Sequence, residues 1–171
     1  IPNLPRARRD GDLGEVALLT LAMILALPLG LMVLASIQPE VFRYAVSLLA
    51  ILVPILLLAG LRYRRPLTPP ILLGTGAISG FLGGVVGVPG PPVILLYLAS
   101  TRMAAQVRAN ILIYLFAFDI VLIALLAVQD RLYAVPVILG LILALPVMLA
   151  NMAGAAIFRP EKERLYRAAA Y

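Results

Sequence analysis

The strongest constraint on this chain is the stretch Ile71–Ser100, ILLGTGAISGFLGGVVGVPGPPVILLYLAS. It is apolar enough to lie in a bilayer, yet its centre carries Gly83, Gly84, Gly87, Val88, Pro89, Gly90, Pro91 and Pro92. Proline lacks a backbone N–H, and its ring clashes with the preceding helical turn. Backbone groups freed by such a break cannot turn to water inside hydrocarbon, so protein or a wet cavity must satisfy them. The stretch therefore predicts two short half-helices meeting in an irregular loop at membrane depth.

The rest of the chain agrees with a bilayer setting. Of its 171 residues 63% are hydrophobic, against roughly 45–50% in soluble domains. It has no Cys and no His. A disulfide framework, a thiolate nucleophile, a histidine base and a histidine-dependent metal site are thereby excluded. No metal, no cofactor and no enzymatic activity are expected. The net charge of +6 does not point to nucleic acid, because the arginines lie in short clusters between apolar runs, as membrane topology requires.

Four segments reach the roughly 20 residues a span needs: Val16–Ile37, Tyr44–Leu61, Ala109–Val128 and Leu132–Phe158. Pro28, Pro54, Pro136 and Pro146 lie inside them. Ile1–Glu15 reads as a polar loop, and Arg159–Tyr171 as the amphipathic start of another helix. The N-terminal segment, Arg62–Arg65 and the C-terminal tail are positive, and the Thr101–Arg108 link carries Arg102 and Arg108 without an acid. The links Gln38–Arg43 and Gln129–Arg131 are neutral on balance. If Ile71–Ser100 crossed the membrane once, Arg62–Arg65 and Arg102 would face opposite sides. If it enters and returns, every positive segment shares the cytoplasmic face. Val93–Ser100 is also too short to cross alone. A re-entrant hairpin entering from the cytoplasm is the expectation.

An internal repeat supports a transporter-like design. Ile24–Pro28, ILALP, recurs at Ile142–Pro146, and Pro39-Glu40 with Arg43 recurs as Pro160-Glu161 with Arg164. The copies would run in opposite directions, an inverted-topology repeat. The expected fold is all-α: a polytopic transmembrane helical protein with an inverted repeat and a broken, re-entrant helical hairpin. Residues 1–70 would be the end of the first repeat, with two transmembrane helices. Residues 71–171 would be the second repeat: the broken helix, two transmembrane helices and the start of a last helix. The first repeat's own broken segment would then precede Ile1, so the chain is expected to be part of a longer protein. The rest of that protein, or a homo-oligomer, would complete it.

GFLGGVVGVPGPPVILLY at Gly80–Tyr97, followed by VRAN at Val107–Asn110, resembles the sulfite exporter TauE/SafE family of membrane permeases. The resemblance extends over nearly the whole chain, with Gly87–Pro92 a Pro-rich version of the family's Gly-rich turn. It implies an inverted repeat, a multi-pass place in the cell membrane (inner or plasma), and transport of small sulfur-containing or organic anions of sulfite, sulfonate or carboxylate type. Its partners would be that anion and the lipid bilayer.

The residues can then be weighed. Gly80 and Gly83 read equally as helix-packing surface, and Gly84 and Gly87 share that alternative. Gly87, Val88, Pro89, Gly90, Pro91, Pro92 and Val93 form the expected substrate loop; Val88, Gly90 and Val93 carry N–H groups for an anion and the prolines do not. Arg102 reads best as a membrane anchor. Arg108 opens the next span, and its planar fork suits a sulfonate or carboxylate; an anchor is the competing role. Asn110 lies one turn further in, as ligand or interhelical bond. Asp119 is the only ionisable residue well inside an apolar span, which makes it the proton-coupling candidate, with a structural pair as its alternative. Tyr97, Tyr114 and Asn151 could line a pathway or simply pack. The competing function is an anion or small-solute channel using the loop as a filter.

Overall fold

Several helix boundaries follow local chemistry. The structure, a computed structural model, describes residues 11–58 and 67–157. Among these residues there are six helices and no strand: α1 Leu13–Ser36, α2 Pro39–Leu58, α3 Pro69–Val86, α4 Gly90–Ala99, α5 Ala104–Val128 and α6 Ala134–Ile157. Segments of α1, α2, α3 and α5 are long and apolar enough to cross a membrane.

Asp12 caps α1, its Oδ1 accepting from the N–H groups of Gly14 at 3.1 Å and Glu15 at 3.2 Å. An acid at this position satisfies orphan donors of the first turn. The helix therefore begins at Leu13, and Glu15 belongs to it instead of to a polar loop. Proline opens α2 and α3 for a related reason, since its missing N–H costs nothing in a first turn. The segments Arg62–Arg65 and Arg159–Tyr171, most of the N-terminal loop, and the Pro160–Arg164 half of the repeat lie outside the described residues.

The break in Ile71–Ser100 is narrower than its composition suggests. α3 is a full 18-residue helix that runs through Gly80, Gly83 and Gly84. It stops at Gly87, which adopts φ 77° and donates its N–H to the Gly83 carbonyl at 2.9 Å. That left-handed cap is a glycine conformation. Gly90, Pro91 and Pro92 already belong to the first turn of the 10-residue α4. The expected pair of short half-helices is thus one full helix and one short one.

Tertiary packing explains why the glycines stay helical. Gly76, Gly80 and Gly84 recur every four residues along α3 and lie on the backbone of α1. A β-carbon at Gly76 would stand 2.3 Å from the Leu19 carbonyl oxygen, and one at Gly80 2.6 Å from that of Met23. At Gly84 it would stand 2.6 Å from the Leu27 carbonyl oxygen and 2.8 Å from Gly30 Cα. Small residues in membranes allow such approach. The partners advance together, so α1 and α3 run parallel. Leu19, Met23, Leu27, Leu72, Val93, Tyr97, Tyr114 and Phe118 form the core around this seam.

α4 runs back along α3. Its start touches Ser79, and its end reaches Glu15 in the first turn of α1. α5 then repeats the direction of α3: Asn110 meets Tyr97, Tyr114 meets Ser79, and Phe118 lies over Gly83. α3 and α4 are therefore a hairpin whose outer ends lie together, and α1, α3 and α5 all begin at that end.

Contacts divide the chain into two units, Ile1–Leu125 and Leu126–Tyr171. In the first unit α3 packs on α1. The second unit contains α6, with Pro146 inside it. The ILALP copies lie on α1 and α6.

Candidate functional site

Two polar clusters sit at the two ends of α4. The first fixes the tip of the hairpin. Ser79 Oγ donates to the Pro89 carbonyl, and Tyr114 OH donates to Ser79 Oγ at 2.7 Å. Both side chains are fully buried. Phe118 fills the space above Gly83, where a β-carbon would stand 2.4 Å from its ring. Gly87 and Val88 are exposed at the tip. A helix leaves about four orphan N–H groups at its start. Here Pro89, Pro91 and Pro92 occupy three of those positions, so the first turn of α4 presents the Gly90 N–H alone.

The second cluster joins α1, α4, α5 and the link before α5. Glu15 is 7% exposed. Its Oε1 accepts from Arg102 Nη2 in an ion pair. Its Oε2 accepts from Asn110 Nδ2 at 3.2 Å and lies 3.4 Å from Tyr97 OH. Asn110 Nδ2 also donates to Tyr97 OH at 3.0 Å, and Asn110 Oδ1 accepts the backbone N–H of Asp12 at 2.8 Å. Asn110 and Tyr97 are fully buried. Among the described residues no buried side-chain polar atom lacks a partner.

Beside this cluster opens a cleft of about 540 Å³ lined by Tyr97, Ser100, Arg102, Val107, Arg108 and Ile111 among others. Arg108 is exposed in it, and Arg102 is 39% exposed in its side chain. Among the described residues Arg108 has no acidic partner, so the cleft carries net positive charge.

The sequence candidates therefore separate in space. Gly87 to Val93 lie at the tip, and Arg108 at the opposite end of α4. From Arg108 to Phe118, which covers the tip, α5 rises about 15 Å. One small anion cannot touch both. Asn110 and Tyr97 belong to the Glu15 cluster and Tyr114 to the tip cluster. Asp119 follows Phe118 and is exposed on α5; the side chain of Asn151 lies outside the described residues. Glu15 and Ser79 are the residues that sequence reasoning missed. Asp12 and Glu15 have the spacing of a capping box, which could have drawn Glu15 into a helix; Ser79 carries no such signal.

Residues 3–171 match a family model described as sulfite exporter TauE/SafE. Comparison with curated proteins and with solved structures finds no match.

Proposed function

Because the chain belongs to the sulfite exporter TauE/SafE family, we propose that it carries a small sulfur-containing or organic anion across the cell membrane by alternating access. The family is one of membrane transporters and not of enzymes. The chain itself is a multi-pass membrane protein, with several helices able to cross a bilayer.

The observation that supports the site is the cationic cleft at the start of α5. Arg108 faces it with no acid paired to it among the described residues, and its fork can take two oxygens of a sulfite, sulfonate or carboxylate. The exposed tip residues Gly87 and Val88 would line the path through their backbone and contribute little charge. In purified protein reconstituted into liposomes, Arg108→Gln should raise the KM for sulfite about tenfold, the loss of one charge-assisted contact, with the yield of folded protein unchanged. An unchanged KM would remove Arg108 from the site. A carrier should also saturate and counter-exchange labelled sulfite, whereas a pore would give current scaling with the gradient.

Asp119 is the proposed coupling group. It sits next to Phe118, the residue that covers the hairpin tip, so a change in its charge would be felt where the hairpin turns. Asp119→Asn should abolish the stimulation of sulfite uptake by an imposed proton gradient while leaving counter-exchange intact. Stimulation equal to that of the unmodified protein would end this role.

A further inference from the structure

We infer that Glu15 is the resident counter-anion of the cleft: without substrate its carboxylate holds Arg102, and the transported anion takes Arg102 over from it. This rests on the transport reading above and adds two residues, Glu15 and Arg102, to the binding chemistry.

The first support is what Glu15 does not do. At the third position of a helix capped by Asp12, a glutamate ordinarily accepts the N–H of the capping residue. Here Asn110 Oδ1 takes that N–H at 2.8 Å. The local task of Glu15 is performed from another helix, and its carboxylate is free to reach the far side of the cluster.

The second support is how the carboxylate is shared. Oε2 faces Asn110 and Tyr97, both neutral and fully buried. Oε1 faces Arg102. The Arg102 contact can therefore break while two donors still hold Glu15 in place. An acid with Arg102 as its sole partner would be stranded by that step, at the high cost of a buried unpaired charge.

The third support is access. Arg102 lines the same cleft as Arg108, and its side chain is 39% exposed. A guanidinium can exchange one oxyanion for another with the same forked geometry. Once Arg102 is released, two guanidinium groups flank the cleft, a match for an anion with several acceptor oxygens. The exchange also unties the start of α1, which carries Glu15, from the link before α5, which carries Arg102. Substrate binding would thereby loosen one end of the hairpin, as a ligand must if it is to favour one of two conformations.

The test is sulfite uptake into liposomes containing the unmodified chain, Glu15→Gln, Glu15→Asp and the double variant Glu15→Gln/Arg102→Gln. Glu15→Gln should lower the KM roughly threefold to fivefold, the upper end of the range for an ion pair with one solvent-exposed partner. The added Arg102 substitution should cancel that gain. Glu15→Asp keeps the charge and the helix start but shortens the side chain, and should shift the KM in the same direction by less; it decides the matter if Glu15→Gln does not fold. Saturable uptake with an unaltered KM in the Glu15 variants overturns the inference and leaves the transport reading standing. So does a gain that survives loss of Arg102. Absence of saturable uptake by the unmodified chain overturns the transport reading, and this inference with it.

Discussion

Gly76→Val is expected to lower the thermal midpoint of the purified protein by roughly 10 °C or to prevent its folding. A β-carbon at residue 76 would stand 2.3 Å from the Leu19 carbonyl oxygen and 2.9 Å from Leu19 Cα. Those are backbone atoms of α1, so no side chain can swing aside. The helices must separate, and the seam that continues through Gly80 and Gly84 opens with them. Overpacking of this kind costs about 3 kcal/mol or more, and each kcal/mol moves the midpoint of a chain this size by about 2–4 °C. Gly74 supplies the control. It lies on the same helix two residues away, exposed, and a β-carbon there meets nothing within 4 Å. Gly74→Ala should be neutral or stabilising by up to about 1 kcal/mol, since alanine is the better helix former. Thermal unfolding followed by circular dichroism in detergent measures both. Equal midpoints for the two variants would mean that α1 and α3 do not meet along this face.

Asn110→Leu should be nearly as damaging, for a different reason. Leucine fills a similar volume, so packing is little altered. What goes is every polar contact of one side chain: the acceptor for the Asp12 N–H, the donor to Glu15 Oε2 and the donor to Tyr97 OH. The capping N–H of α1 and a largely buried carboxylate each lose a partner. Leaving such groups unsatisfied costs about 1–3 kcal/mol apiece, so a fall of several degrees in the midpoint is expected. Asn110→Ser, which retains a hydroxyl donor and acceptor in a smaller side chain, should not restore it, because the hydroxyl cannot span both Asp12 and Glu15. A midpoint within 2 °C of the unmodified protein would show that the cluster is not what ties α5 to α1.

These two residues also mark where the sequence was legible. The all-helical class, the spans at α1, α2 and α5 and the chain reversal between Pro69 and Ala99 follow from hydropathy and breakers, whereas Pro69–Val86, expected as a half-helix, is itself long and apolar enough to cross a membrane. The integrity of α3 does not follow from them. Gly80, Gly83 and Gly84 are poor helix formers by propensity, and next to three prolines they read as part of the break. Contact with α1 decides otherwise, and nothing local to α3 records that contact. Glu15 is the same problem in electrostatic form. Its neighbours Asp10, Asp12 and Gly14 mark a polar loop, whereas its partner Asn110 is 95 residues away. Arg102 and Arg108 were both visible as cations, but the pairing of Arg102 with Glu15, which leaves Arg108 without an acidic partner among the described residues, was not. Arg108 and the tip looked adjacent because the chain returns from one to the other; the length of α4 and α5 sets them apart.

If the turn lies at membrane depth, the proline-rich start of α4 bears on how the hairpin can be inserted. A turn in hydrocarbon must surrender the hydration of every amide it exposes, at several kcal/mol for each one left unpaired. Of the four amides at the start of α4, three carry no hydrogen, those of Pro89, Pro91 and Pro92. The Pro89 carbonyl, beside the turn, accepts a hydrogen bond from Ser79 of the neighbouring helix. The sequence that most resembles a flaw in a membrane span is thus the composition that lets a turn shed its water cheaply.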